Sequence, residues 1–316
     1  MIKFAVNEEQ AGVRLDKLLL QAVPALGRAG AKRLFEGGKV RVHDGGAERG
    51  RRVAKGDVAK AGDVVSIDVA PEAQSQAAVP DPALPLVVVY ETDEVLIFDK
   101  PAGQPSAPLE PGETGTLANA LLARYPECAN IGFSPREPGL CHRLDTETSG
   151  LVMAARTKDA FDVLTKAIKE ERIDKRYLLV CEAKDLPESG TIEIPLAPHP
   201  KDRRRVLACV HPRDVARYAP RPARTTFTKV SEHAGYALVE ARAGKAMRHQ
   251  IRAHFAALGH PLVGDGLYGG PAAEGLSRHA LHASLISWGG DATVPAFTVK
   301  SPLPADIGAL VGQVEG

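Results

Sequence analysis

The stretch C-H-R-L-D-T-E-T-S-G, Cys141–Gly150, sets one carboxylate, Asp145, after a His-Arg pair and before a run of small hydroxyl residues that ends in glycine. Local chemistry leaves two readings open. Asp, Ser and Thr side chains bond their own nearby backbone, so the stretch reads as a capped turn. The same turn would also present Asp145 as a reactive carboxylate. Ser149 precedes Gly150 without the G-x-S-x-G elbow, and a two-carboxylate glycosidase pair is not visible, so a hydrolase is weakly supported. The company the stretch keeps along the chain has to decide between a turn and a site.

At 316 residues, 44% hydrophobic and 25% charged, the chain has globular composition and room for two domains with their own cores. The opening M-I-K-F-A-V-N-E-E-Q lacks a basic stretch followed by an apolar core, and no run of about eighteen apolar residues occurs, so neither export nor membrane insertion is expected. Cys128, Cys141, Cys181 and Cys209 form no C-x-x-C pair. They read as buried free thiols in a reducing cytoplasm, and no metal site is expected. A net charge of +1 argues against a strongly basic nucleic-acid binder as a whole. Residues 1–70 nevertheless hold 13 basic against 9 acidic residues, so the positive excess lies at the N-terminal end.

Upstream of the quoted stretch, residues 12–69 read as a compact unit. Val13, Leu15, Leu18, Leu19 and Val23 recur at helical spacing and Pro24 ends that helix. A second helix, Arg28 to Glu36, stops at Gly37-Gly38. Lys39 to His43 alternates like a strand, Gly45-Gly46 turns the chain, and Val64 to Val69 closes the unit. Arg28, Lys32, Arg33, Lys39 and Arg41 are the candidates for one phosphate-facing surface; a solvated helix face is the plainer account of the charge alone. Residues 71–85, rich in Pro, Ala and Gln, read as a linker. Beyond it come strands Leu86 to Tyr90 and Val95 to Asp99. Further strand-like runs follow, L-V-M-A-A-R, R-Y-L-L-V-C-E-A, G-T-I-E-I-P-L-A, T-T-F-T-K-V and Y-A-L-V-E-A-R, with helices Lys158 to Glu171 and Met247 to Leu258. The expectation is an α+β domain over residues 86–316 built on a largely antiparallel, mixed sheet, preceded by a small α/β domain over residues 1–70.

Two further clusters carry chemistry-bearing residues. In A-G-K-A-M-R-H-Q-I-R-A-H-F, a helix from Met247 would group Arg248, His249 and Arg252 on one face. His249, His254 and His260 lack the H-E-x-x-H order of a zinc helix. Lys201, Arg203 to Arg205, Arg213, Arg217, Arg221 and Arg224 form a basic tract, readable as a solvated hairpin or as a phosphate holder.

Taken together, H-R-L-D-T-E-T-S-G-L from His142, D-K-P-A-G from Asp99, D-K-R-Y from Asp174, H-P-K-D-R-R-R from His199, H-Q-I-R from His249, G-H-P-L-V-G-D from Gly259 and L-Y-G from Leu267 resemble the RluA-type pseudouridine synthases. These modify ribosomal and transfer RNA, and the likeness runs from about Leu86 to the C-terminus. Residues 12–69, through R-L-D-K-L and K-R-L-F-E-G-G-K-V-R-V, resemble an S-four type RNA-binding domain, a common attachment in that family.

The resemblance implies a cofactor-free isomerisation in which a uridine's N-glycosidic bond is broken and a carbon–carbon bond made to ring carbon five. Asp145 would be the essential carboxylate, Arg252 its cationic partner and Tyr177 the ring stacked on the uracil. Arg143 would fill the gap left by a flipped nucleotide, His142 support the turn or touch RNA, Ile251 pack beneath the base and Leu144 bury the loop. RNA is the implied partner of a monomeric chain. This chain reads G-K-A-M-R-H-Q-I-R where relatives have G-R-x-H-Q-I-R, which opens the roles of Lys245 and Arg248. A noncatalytic RNA-binding or ribosome-assembly protein that keeps the fold, or an N-glycosylase releasing uracil, stand as alternatives.

Overall fold

A computed structural model describes residues 2–23, 26–44, 50–68 and 77–312. The chain divides into two units, Met1–Ala77 with Leu109–Gly112, and Ala78–Pro108 with Glu113–Gly316.

In the N-terminal unit, Leu15, Leu18 and Leu19 bury the i, i+3, i+4 face of helix α1 (Leu15–Ala22). Helix α2 (Gly27–Glu36) follows, starting one residue before the expected Arg28. A four-stranded antiparallel sheet of β1 (Ile2–Ala5), β2 (Val40–Asp44), β3 (Arg51–Arg52) and β4 (Asp63–Ile67), in the order β1-β4-β2-β3, receives the helices on Val40, Val42, Val65 and Ile67. Strands β1 and β3 were not legible: one is four residues of half-buried alternation, the other an arginine pair. Gly38, at φ +64°, is the turn out of α2. The Gly45-Gly46 turn, Pro24 and Val69 lie outside the described residues.

The expected linker ends early. Ala78 is buried and donates its N–H to Pro135 O at 2.9 Å, while the buried Asn119 amide donates to Val79 O at 2.7 Å and Asp81 N–H donates to Asn119 O at 3.1 Å. A segment without periodicity is held in place because Asn119 and Pro135 supply partners for its backbone. Residues 78–85 therefore belong to the second unit.

That unit is built on β5 (Val88–Glu91), β6 (Val95–Lys100), helix α3 (Leu117–Arg124), β7 (Ser149–Ala155), α4 (Lys158–Lys169), β8 (Ile173–Glu182) and β9 (Ser189–Ile192). There follow β10 (Leu196–Pro198), β11 (Val206–Ala208), α5 (Pro212–Tyr218), β12 (Thr225–His233), β13 (Tyr236–Arg242), α6 (Gln250–Leu258), β14 (Leu281–Trp288), β15 (Phe297–Lys300) and α7 (Ala305–Gly308). The main sheet runs β5-β6-β7-β14-β8-β13-β12-β9, with β15 also on β14; β10 and β11 form a separate hairpin, splitting the expected G-T-I-E-I-P-L-A strand. Among the described strand pairs only β7 with β14 is parallel, as expected for a mixed, largely antiparallel α+β sheet. Central strand β14, L-H-A-S-L-I-S-W, went unread because His and Ser break its apolar pattern, although those polar groups find partners on β7 and elsewhere.

One row across the sheet positions the chemistry. Gly150 lies opposite Ala283, Ala283 opposite Tyr177, and Tyr177 opposite Ala241. Alanine on both sides leaves room for the Tyr177 ring, and the row ties the end of the quoted stretch to β8. Gly150 has φ +107°, and a Cβ there would stand 2.3 Å from Ala283 O, so only glycine closes β7 onto β14.

Candidate active site

The loop that carries Asp145 has its carbonyls taken one after another. Ser106 Oγ donates to Leu144 O (2.8 Å) and accepts from Leu144 N–H (3.0 Å); Thr148 N–H donates to Asp145 O at 3.1 Å. Thr146 O accepts from Lys100 Nζ (3.0 Å) and Gly103 N–H (2.9 Å), and Glu147 O from Arg278 Nη1 (3.2 Å). Thr148 and Ser149 hydroxyls then pair with His279 Nε2 (2.7 Å) and His282 Nδ1 (3.0 Å). A loop whose backbone is satisfied at each step has one conformation. Lys100, fully buried, also donates to Pro101 O and Gln104 O; burial holds its ammonium down to about 8 against the pull of the Glu147 and Asp145 charges.

What that loop presents is the Asp145 carboxylate, one-fifth exposed, accepting from Arg252 Nη1 at 3.0 Å. Arg252 is itself fixed. Its Nε and Nη2 make a fork onto the buried Asp265 at 2.6 and 2.9 Å, and the guanidinium lies over the Tyr268 ring at 5.2 Å. Burial opposes its charge, but Asp265 and then Asp145 outweigh that and raise its pKa. His249 Nε2 stands 3.7 Å from Asp145 while Nδ1 pairs with Tyr268 Oη at 3.0 Å. Burial pushes its imidazole down to about 4 despite Asp145, so it faces the carboxylate as a neutral ring at pH 7. Tyr177 is 5% exposed, and burial, then the Asp145 charge, keep its phenol protonated. A carboxylate paired with a locked cation and close to a protonated phenol is equipped for attack or for proton transfer at a base or sugar.

Comparison with known proteins fits this geometry. The family described as RNA pseudouridylate synthase matches residues 94–257. A Xanthomonas campestris protein named ribosomal large subunit pseudouridine synthase D is 33% identical, over 98% of this chain and 91% of its own. The chain belongs to the RNA pseudouridylate synthase family. A Chloroflexus aurantiacus protein named as an uncharacterized RNA pseudouridine synthase is 36% identical to this synthase over 98% of the chain and 92% of its own. The solved structure of human RNA pseudouridylate synthase domain containing 1 superposes with a TM-score of 0.55 at 25% identity, covering 74% of this synthase and 89% of that chain.

Of the residues expected at the site, Asp145 and Arg252 meet directly, and Tyr177 lies within reach of the Asp145 charge. Ile251 is buried in the same core as Tyr177, and Leu144 packs between two core clusters. His142 is a structural ring: its Nε2 accepts Met153 N–H at 3.1 Å in place of a strand carbonyl, and burial, then Lys175, push it down to about 3. Arg143 projects into solvent, paired with Glu137 at 2.7 Å.

The helix expected from Met247 begins instead at Gln250. His249 is a left-handed cap at φ +54°, and the Gln250 side chain accepts Met247 N–H at 3.0 Å. Arg248 therefore does not share a helix face with Arg252; its guanidinium donates to Arg203 O at 3.0 Å and also to Arg204 O. Of the basic tract, Lys201 and Arg203 to Arg205 turn the β10-β11 hairpin, where Arg204 forks onto Asp202 and Arg205 lies over the Tyr268 ring at 5.3 Å, whereas Arg213 and Arg217 sit on α5 and Arg224, just before β12, pairs with Glu193 at 3.4 Å.

In the N-terminal unit, Lys32 lies 3.5 Å from Glu36, Lys39 pairs with Asp68 at 3.0 Å, and Arg41 donates to Gly50 O at 3.2 Å. Arg33 is exposed, and the Arg28 side chain lies outside the described residues. Among the described residues no group of three or more His, Cys, Asp or Glu is placed to hold a metal ion, and no helix is long and apolar enough to cross a membrane. Lys100, Ser106, Asp265, Tyr268 and Arg278 were not assigned roles from the sequence. Lys100, Asp265 and Tyr268 do fall inside the D-K-P-A-G, G-D and L-Y-G motifs, which was the available signal.

Proposed function

We propose that this synthase converts uridine to pseudouridine in large-subunit ribosomal RNA, in the cytoplasm and as a monomer, with Asp145 as the essential carboxylate. The observation that carries this is the Arg252 fork: two of its nitrogens are committed to Asp265, which aims the third at Asp145. The names borne by relatives such as the Xanthomonas protein support the choice of RNA.

The reaction balances within one nucleotide. The bond from sugar carbon one to N1 breaks, a bond from the same carbon to ring carbon five forms, C5 loses a proton and N1 gains one. Arg252 holds the Asp145 carboxylate in place for attack on the ring, attack on the sugar or removal of a sugar proton. Tyr177 stacks on the displaced uracil and its hydroxyl serves proton transfer at C5. Arg143, exposed and, among the described residues, held only by its pair with Glu137, fills the stack when the uridine is flipped, a step that costs a few kcal/mol. His142 and Leu144 hold the loop from below, and Ile251 floors the base pocket. Residues 1–70 serve as an S-four type RNA-binding domain, with Arg28, Lys32, Arg33, Lys39 and Arg41 toward phosphates.

The test is incubation of the purified protein with RNA from a strain lacking uridine modification, followed by mapping of carbodiimide-dependent stops. The unsubstituted chain gives a stop at a discrete uridine; Asp145→Asn, with deamidation excluded, gives none. Persistent stops with Asp145→Asn overturn the assignment, and free uracil in place of stops makes the protein a glycosylase.

A further inference from the structure

Apart from the Asp145 site, a cleft of about 420 Å³ opens where β8 begins, β13 ends and β12 begins. Arg172, Lys175, Arg224 and Arg242 line it, against two carboxylates, Glu171 and Asp174. Asp174 is turned onto Arg176 at 2.8 Å. Among the described residues the three arginines pair with carboxylates outside the cleft: Arg172 with Glu170 at 2.9 Å, Arg224 with Glu193 at 3.4 Å and Arg242 with Glu240 at 3.6 Å. Those pairs are solvent-exposed, so they exchange readily for another anion.

Lys175 differs from its neighbours. It is 4% exposed, yet it lines the cleft and among the described residues no hydrogen bond or ion pair engages its ammonium. Burial draws its pKa down to about 8, with only the Glu171 charge opposing. An unpartnered cation at that depth is unfavourable unless something with lone pairs meets it there. The position is also informative. Lys175 and Tyr177 are two apart on β8, so they share one face of the sheet at a separation of about 7 Å. The Lys175 charge is felt by His142, three residues before Asp145.

We propose that this cleft is a phosphate subsite for the RNA strand beside the flipped uridine, with Lys175 as its buried anchor and Arg224 and Arg242 at its rim. The anion is a backbone phosphodiester, met by a lysine point charge at depth and by guanidinium forks at the mouth. The inference rests on the proposed function and extends it to the neighbouring nucleotide.

The experiment measures binding of a uridine-containing RNA hairpin by the full chain carrying Asp145→Asn, across a series of KCl concentrations. Adding Lys175→Met raises Kd about tenfold and makes the salt slope shallower by about 0.7, the value of one single-strand phosphate contact. Arg224→Ala and Arg242→Ala, whose side chains are largely exposed, shift both in the same direction by less, and they decide the matter if Lys175→Met does not fold. In parallel, each phosphate flanking the target is replaced by a neutral methylphosphonate. One position weakens binding to the parent about tenfold and leaves Lys175→Met unchanged. Parallel salt slopes, or equal methylphosphonate penalties in both proteins, overturn the subsite; a cleft that takes only free phosphate gives the second result. Turnover by the unsubstituted chain is assayed on the same hairpin. Absence of pseudouridine would overturn the functional reading, whereas pseudouridine with unchanged slopes overturns the subsite alone.

Discussion

The cations around Asp145 and those of the N-terminal unit are the same residue types in opposite circumstances. Arg252 and Lys100 are buried, and each of their donors is aimed at a named oxygen. Lys32, Lys39 and Arg33 keep more than half of their side-chain surface in solvent, and their pairs are single contacts on a surface. Burial converts charge into direction: with little water to compete, Coulomb terms are strong and the ion cannot swing away. Exposure leaves charge without direction, suited to attracting a polyanion and weakened by salt. Chemistry at one carboxylate requires the first kind, and affinity for a backbone tolerates the second.

The sharpest way to break this contrast is to loosen Arg252 without touching Asp145. Asp265→Asn keeps the volume and removes the charge that fixes the fork, so Nη1 is no longer held on Asp145. Single-turnover kcat is expected to fall by about 10²- to 10³-fold, in line with loss of a preorganised electrostatic partner, while RNA affinity moves less than about threefold. Equal losses in kcat and affinity would mean that Asp265 supports binding and not aim.

Next in size is Gly150→Ala. The added Cβ meets a backbone carbonyl at 2.3 Å in a left-handed residue, so neither side can yield cheaply. Strain of about 3 kcal/mol is expected, read as a lower urea midpoint with an unchanged slope. A midpoint within error of the parent would show that the row joining Gly150, Ala283 and Tyr177 is not rigid.

Acid separates the regions again. Burial pushes His249 down to about 4 and His142 and His279 down to about 3, all below the 6.5 of an unfolded imidazole. Between those values the unfolded chain binds more protons than the folded one, so stability falls as pH drops below 6.5. The loss is about 1.4 kcal/mol per pH unit for each ring kept neutral. Urea midpoints at pH 7 and pH 5 check it. The shift should shrink in His142→Gln, whose amide can still accept the Met153 N–H.

The same contrast governs what the sequence could reveal. Asp145, Tyr177 and Arg252 were legible as candidates because each sits in a local motif, and most long strands because their alternation is local. Lys100, Asp265 and Arg278 carry the site through contacts to residues 13 to 131 positions away, and nothing near Lys100 marks a lysine that will be buried. The expected helix α6 is three residues too long because Arg248 and His249 stand at helical spacing from Arg252. The left-handed turn at His249 and the Gln250 side-chain cap, features of backbone and not of pattern, decide where it starts. Strand β14 was missed for the converse reason: its His and Ser look like loop until the hydroxyl and carbonyl partners are in place.

The smallest effects are expected on the N-terminal face, and they test the exposed half of the contrast. Lys32→Ala with Arg33→Ala removes two cations whose pairs are exposed, so folding stability should stay within about 0.5 kcal/mol of the parent. Affinity for RNA should fall only a few-fold at physiological salt, and the loss should vanish at high salt, because screened charges act together and not through fixed geometry. Turnover of bound RNA should be unchanged. A drop in single-turnover kcat would mean that these cations aim something, as Arg252 does, and that exposure in this unit does not persist when RNA is bound.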